Sequence, residues 1–123
     1  PVDLLSMCSW DLSSELCHGD LTFDNIIVSD DGVYVIDFLD SFIESPDIDE
    51  SKFMQDTYCG WSYRDASYLP IHNLYLMNEM IESKRNYLLL LVHLYRILPY
   101  ATRETQHWIR TQISRVERKV NVA

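Results

Sequence analysis

The chain has 123 residues, of which 47% are hydrophobic and 24% charged, and these values predict a single soluble globular domain. No apolar run approaches the roughly 20 residues of a membrane span, and no secretory signal opens the sequence, so we expect no membrane partner. The net charge is −9, and residues 1–65 hold 15 of the 19 acidic side chains but only two of the ten basic ones. This distribution disfavours nucleic acid as a partner and suits a divalent cation.

The first predicted element is a short β-hairpin. Residues 26–28 and 33–36 are apolar and rich in β-branched side chains, and the polar residues 29–32 between them are typical of a turn. An antiparallel pair of this kind brings Asn25, just before the first strand, beside Asp37, at the end of the second. Two polar side chains twelve residues apart are thereby expected at one end of a rigid element.

Three or four helices are predicted after the hairpin. A first helix spans 47–58, with a proline and acidic residues at its start. Residues 71–98 have apolar side chains at helical spacing, and a break near Ser83 divides them into two helices before Pro99. Thr102 is expected to cap the last helix. The apolar stripe of that helix, spaced by four, three and four residues, consists of Ile109, Ile113, Val116 and Val120.

These elements predict an α+β fold in which a small β-hairpin packs on a helical subdomain. A hairpin alone is marginally stable in water, so we expect it to pack against the helices within one domain, residues 1–123. Residues 1–40 would hold the hairpin and the loop before it, and 41–123 the helical subdomain. Cys8, Cys17 and Cys59 are odd in number and lack metal-binding spacing, which predicts free thiols in a reducing, cytoplasmic setting.

The segment His18-Gly19-Asp20-Leu21-Thr22-Phe23-Asp24-Asn25 carries the chemistry of the chain, together with Asp37 in Val35-Ile36-Asp37-Phe38. The spacing of five from Asp20 to Asn25 is that of the catalytic loop of kinases. Asp20 can orient an attacking hydroxyl group, and carboxylate and amide oxygens are ligands that Mg²⁺ accepts. The sequence therefore predicts phosphoryl transfer, with Asp20 as base and with Asn25 and Asp37 as metal ligands.

The same residues resemble the catalytic and metal-binding segments of the aminoglycoside phosphotransferase and choline kinase-like family. That family has the protein kinase-like fold, and a small residue stands in its loop where Gly19 stands here. The resemblance implies an ATP-dependent, Mg²⁺-requiring transfer to a hydroxyl group of a small-molecule acceptor, such as an aminoglycoside, a sugar or choline. It also implies that His18 belongs to the catalytic loop, where its ring fixes the loop by hydrogen bonds.

Several further residues are candidates on the same resemblance. The stretch 45–49 resembles the family's Pro- and Asp-containing helix start, from which Asp49 or Asp47 would brace the catalytic loop. Asp40 follows the metal-binding Asp and is either an additional polar group of the site or a solvated acid. The substrate wall would be formed by Trp61, Tyr63 and Arg64, whose alternative role is to cover the helical core.

The resemblance covers only the C-terminal lobe of the family's fold. The chain has three glycines and no glycine-rich phosphate loop, and its lysines all follow the motif. We therefore expect an N-terminal lobe to be missing and the isolated chain to be inactive. The alternative is a truncated, non-catalytic kinase-like module that acts through partner binding or self-association, because the face left by an absent lobe would be apolar.

Overall fold

A computed structural model describes residues 17–39 and 45–121. Its elements are the strands β1 (Ile26–Ser29) and β2 (Gly32–Val35), followed by the helices α1 (Pro46–Thr57), α2 (Ile71–Ile81), α3 (Lys84–Ile97) and α4 (Arg103–Asn121). Short 3₁₀ turns cover Phe23–Asn25, Trp61–Tyr63 and Leu98–Tyr100. The predicted α+β class is confirmed, since the described chain is mostly helical with one small antiparallel hairpin.

The predicted helix boundaries agree closely with the structure. Ser45 caps α1, because its hydroxyl accepts a hydrogen bond from the backbone N–H of Asp47, and Pro46 follows at the first helical position. The predicted break lies between α2 and α3, where the Ser83 hydroxyl accepts from the N–H of Asn86. The Thr102 hydroxyl accepts from the N–H of Thr105 at the start of α4, which confirms the predicted cap.

The core lies where α1, α3 and α4 meet. The helix α3 packs against both α1 and α4, and α2 packs against α1. The predicted stripe of α4 is buried in this core, as are four leucines of α3 and Met54 of α1. Cys59 is also buried there, and burial raises the pKa of its thiol to about 12, so this cysteine is a small core residue rather than a nucleophile.

The helix α1 is buried around most of its circumference although much of it is polar. Several of these polar side chains meet a partner on a neighbouring segment. The Ser51 hydroxyl shares a hydrogen bond with His93 of α3, and the Thr57 hydroxyl donates to Asn78 of α2. Polar groups in a core are tolerated when they are paired in this way. The helix α1 thus lies at the centre of the fold.

The hairpin differs from the expectation that it packs on the helices. Its strands pair antiparallel, as predicted, with Ile26 opposite Val35 and Val28 opposite Val33. Apart from the half-buried Ile26, its apolar side chains remain exposed, from 39% for Val35 to 75% for Val28. The connection to the helices runs through the residues before β1, where the Phe23 ring packs on Phe53 of α1. Within the described ranges, no helix is long and apolar enough to cross a membrane.

Candidate active site

The loop before β1 is fixed to α1 through its backbone. The carboxylate of Asp49 accepts hydrogen bonds from the N–H groups of His18, at 2.8 Å, and Gly19, at 3.0 Å. Asp47, the other candidate for this role, instead lies 3.6 Å from the guanidinium of Arg85. Asp49 therefore braces the loop, and the choice that the sequence left open is resolved in its favour.

The His18 ring connects the loop to the end of the hairpin. Its Nδ1 accepts a hydrogen bond from the N–H of Asp20 at 3.1 Å, and its Nε2 lies within hydrogen-bonding distance of the Ile36 carbonyl oxygen. Both contacts are satisfied by the neutral ring with its proton on Nε2. The ring also packs on Phe38, with 4.5 Å between the ring centroids. His18 thus makes the hydrogen bonds expected of a residue that holds the loop in place.

Gly19 allows the closest approach between the loop and the segment after β2. Its φ is +93°, and a Cβ atom at this position would lie 2.1 Å from the Leu39 carbonyl oxygen. The same pair of segments is joined by a hydrogen bond of 2.9 Å from the Leu39 N–H to the His18 carbonyl. A residue without a side chain is therefore required here by both conformation and space.

Asp20 and Asn25 are in direct contact. The amide nitrogen of Asn25 donates to the carbonyl oxygen of Asp20 at 2.8 Å and to its carboxylate at 3.1 Å. Asn25 itself is buried, and the Asp20 side chain is 33% exposed. The carboxylate is thus positioned by the protein while it remains reachable from solvent.

Lys52 of α1 lies on the other side of the Asp20 carboxylate. Its ammonium nitrogen is 3.6 Å from Asp20 Oδ1 and donates a hydrogen bond of 3.0 Å to the buried amide of Gln55. Only 7% of Lys52 is exposed. Burial lowers the pKa of the Lys52 ammonium, and the charge of Asp20 opposes that effect.

Asp37 follows the last backbone hydrogen bond of the hairpin. The N–H of Ile36 donates to the Asn25 carbonyl oxygen at 3.0 Å, so the hydrogen bonding of the hairpin continues to the residue before Asp37. Asp37 has a φ of +56°, which is unusual for a residue with a side chain. Such a conformation is maintained only by surrounding structure, and it is common at functional sites.

The donor set suits Mg²⁺ in its chemistry. The amide NH₂ group of Asn25 is directed at Asp20, so its carbonyl oxygen is the atom that a cation would use, and Asp37 contributes a carboxylate. Both are hard oxygen donors, and Mg²⁺ usually retains several waters besides one or two such ligands. Within 17–39 and 45–121, no group of three or more His, Cys, Asp or Glu side chains is arranged to hold a metal.

Asp56 ties a second part of the loop to the helical subdomain. It accepts hydrogen bonds from the N–H groups of Phe23, at 2.6 Å, and Ser62, at 2.7 Å, and is fully buried. Burial raises the pKa of the Asp56 carboxyl, although these hydrogen bonds lower it. The segment from residue 61 onward is thus held next to the start of the 3₁₀ turn at Phe23.

The predicted substrate wall lies mostly against protein. The Arg64 guanidinium is centred 3.8 Å from the Trp61 ring, which meets the Trp108 ring of α4 at 5.7 Å. Tyr63 meets Phe23 edge to face at 6.5 Å. The cation-binding face that Trp61 could offer to a substrate is therefore already covered by Arg64. Asp40, the remaining candidate, lies outside the described residues.

Lys52 and Asp56 were not identified from the sequence, and one signal could have found them. Asp49, Lys52 and Asp56 are spaced by three and four residues, which places them on one side of a helix. A polar stripe at this spacing is usually a solvent-facing surface. Here it faces the loop before β1.

Comparison of the chain with family models, curated proteins and solved structures found no match to any of them.

Proposed function

We propose that the chain is the catalytic portion of an ATP-dependent phosphotransferase that phosphorylates a hydroxyl group of a small molecule. The observation that carries the proposal is the direct hydrogen bond between the Asp20 carboxylate and the Asn25 amide. The hairpin also joins Asn25 to Ile36, the residue before Asp37. We infer from this that the proposed base and the two proposed oxygen donors converge at the end of the hairpin. The resemblance to the aminoglycoside phosphotransferase and choline kinase-like family, with its protein kinase-like fold, supports the same function.

In the proposed reaction the protein positions the reactants and balances charge, as phosphoryl transfer requires. The partly exposed carboxylate of Asp20 accepts the proton of the acceptor hydroxyl group. Asn25 fixes the orientation of that carboxylate, and Lys52 places a positive charge beside it. Asn25 and Asp37 would hold Mg²⁺, which supplies neutralisation of the phosphate charge when it is bound. Trp61 and Arg64 would lie beside the bound acceptor and would not enclose it.

The metal site can be tested on the chain itself. We expect Mg²⁺ to shift the backbone amide NMR signals of residues near 25 and 37 in a saturable manner. The variants Asn25→Ala and Asp37→Asn should each lose this response, since the first removes an oxygen ligand and the second removes the negative charge of the other ligand. The matched control is Asp30→Asn, which removes one negative charge from the exposed hairpin turn. An unchanged Mg²⁺ affinity in Asp37→Asn would contradict the proposed ligands.

The catalytic role is tested in a protein that joins this chain to a nucleotide-binding lobe. We expect Asp20→Ala to lower the turnover of a hydroxyl acceptor by a factor of about 10² or more, with little change in the affinity for ATP. The isolated chain should neither hydrolyse ATP nor transfer its phosphate. Full turnover in Asp20→Ala would show that this residue is not the base.

A second candidate function is supported by the exposed apolar surface of the hairpin and the residues after it. Val28, Val33 and Phe38 are 75%, 65% and 68% exposed. Such a surface favours a truncated, non-catalytic module that acts through partner binding or self-association. Sedimentation of the wild type and of a Val28→Lys, Val33→Lys variant distinguishes the two. Self-association that the lysines abolish, combined with no response to Mg²⁺, would favour this second function.

A further inference from the structure

A cavity of about 300 Å³ lies among the helices of the subdomain. Its walls come from the residues that follow α1, from α2, from the first turn of α3 and from the second half of α4. Its lining includes no residue of the catalytic loop or hairpin. The volume is at the lower end of the range of small-molecule sites, and it accommodates one ring with a substituent.

The floor of the cavity is a fixed polar network. Asn78 is 5% exposed, and its Oδ1 accepts a hydrogen bond of 2.8 Å from the Thr57 hydroxyl. Its Nδ2 donates to the Tyr87 hydroxyl and to the Glu82 carboxylate, each at 3.2 Å. The Tyr87 hydroxyl also donates to Glu82. Because these groups satisfy one another, the floor has a defined shape, and the charge of Glu82 is already engaged.

One wall carries paired aromatic rings and cations. The Tyr58 and Tyr87 rings meet edge to face with 5.1 Å between their centroids. The Arg115 guanidinium is centred 4.7 Å from the Tyr58 ring, and the Lys119 ammonium lies 5.8 Å from the Tyr87 ring. Each cation is therefore kept near the cavity by an aromatic face. Arg115 is further oriented by a hydrogen bond of 2.6 Å to Gln112.

The electrostatic character of this region is opposite to that of the chain. A shallow groove that adjoins the cavity is lined by Tyr58, Arg115, Arg118 and Lys119. Three cations thus surround the opening, against the single engaged carboxylate of Glu82, in a chain whose net charge is −9. Arg118 and Lys119 lie in the last turn of α4, where cations interact favourably with the helix dipole. Arg115 precedes that turn, so the helix dipole does not explain why a cation is found at this position.

We propose that this cavity binds a small organic anion with a flat ring. The ring would lie against Tyr58 and Tyr75, and the anionic group would meet Arg115 and Lys119. Carboxylates and phosphates are the groups that a guanidinium and an ammonium bind best. Cys59 lies in the wall with its thiol in the protonated form, because burial raises its pKa, so binding is non-covalent. The site goes beyond the proposed phosphotransfer and does not rest on it.

The experiment is an NMR titration of the chain with three probes that share one ring and differ in charge. The probes are phenyl phosphate, benzyl alcohol and benzylamine. We expect phenyl phosphate to cause saturable shifts at residues 57–60 and 115–119, with a Kd on the order of 1 mM for a molecule of this size. Benzyl alcohol should bind at least about tenfold more weakly, because it makes no charge-assisted contact. Benzylamine should not bind there.

Two variants and a matched control locate the interaction. Arg115→Gln and Lys119→Gln should each weaken phenyl phosphate binding by about tenfold, as expected for one charge-assisted contact. Arg110→Gln removes an equal charge from an exposed position of the same helix, away from the cavity, and should leave the Kd unchanged. Lys119 is itself exposed, so its replacement keeps the test valid if Arg115→Gln unfolds the protein.

Three results of the titration at the cavity would overturn the proposal, and a fourth concerns the hairpin. They are the absence of saturable shifts at the cavity, equal binding of benzylamine and phenyl phosphate, and equal weakening by Arg110→Gln and Lys119→Gln. Shifts confined to the exposed hairpin would also overturn it, since they would show nonspecific adsorption to an apolar surface.

Discussion

The Lys52 ammonium nitrogen lies 3.6 Å from the Asp20 carboxylate although Lys52 is only 7% exposed. Burial of a lysine disfavours its charged form, and this effect exceeds the attraction of Asp20, so the pKa of Lys52 is lowered. A charge is therefore kept beside the proposed base at a cost in stability. Functional sites commonly contain such conflicts between stability and chemistry.

This arrangement predicts a pH-dependent difference between the wild type and Lys52→Met. The unfolded chain binds a proton at Lys52 more tightly than the folded protein does, so the wild type gains stability as pH rises toward the unfolded pKa of 10.5. We expect the free energy of unfolding of the wild type, relative to Lys52→Met, to increase from pH 7 to pH 10. Urea unfolding measures it. Lys84→Met, at an exposed position, should show no such trend.

Asp49 and Asp47 provide a matched pair on one turn of α1. Asp49→Ala removes the acceptor for two loop N–H groups, and we expect a loss of about 2–4 kcal/mol in the free energy of unfolding. Asp47→Ala removes a partly exposed ion pair with Arg85 and should cost at most about 1 kcal/mol. Hydrogen exchange at His18 and Gly19 should accelerate only in Asp49→Ala. Equal exchange in both variants would contradict the bracing role.

Alanine substitutions at Gly19 and Gly60 distinguish the destabilising effect of a steric clash from that of backbone strain. Both have a left-handed φ, but a Cβ on Gly60 meets only the Leu69 side chain, at 3.2 Å, whereas on Gly19 it meets backbone. We expect Gly60→Ala to destabilise the protein by about 1–2 kcal/mol and Gly19→Ala by clearly more, because main-chain atoms cannot move aside as a side chain can. Thermal unfolding gives the comparison. Equal losses would show that the approach to Leu39 is not tight.

The burial of His93 predicts that the protein loses stability in mild acid. Burial lowers its pKa from 6.5 to about 3, with the charge of Lys52 as a second cause. Since the unfolded chain takes up the proton first, stability should fall as pH drops below 6.5, by at most about 1.4 kcal/mol per pH unit. His93→Gln should reduce this slope between pH 7 and pH 5. His107→Gln, at an exposed position, should retain the slope of the wild type.

The sequence predicted those parts of the fold that depend on local patterns. The break at Ser83, the Thr102 cap and the buried stripe of α4 follow from capping chemistry and helical periodicity, and the structure has all three.

What the sequence did not predict depends on contacts between distant segments. Lys52 and Asp56 look like surface residues, because nothing local shows that α1 lies at the centre of the fold. The exposure of the hairpin was not expected either, since short apolar strands predict burial but do not show which surface covers them. The sequence predicted that an aspartate at the start of α1 braces the loop, but it did not distinguish Asp49 from Asp47.

The carboxylates of Asp49 and Asp56 hold the loop before β1 by the N–H groups of residues 18, 19 and 23. Every amino acid except proline presents this group. These two anchors therefore do not select the side chains of the loop, although the approach to Leu39 still requires glycine at position 19. An exposed loop side chain such as Asp24 can be exchanged while the anchoring stays intact. The scaffold in this sense tolerates sequence variation at the exposed positions of the loop.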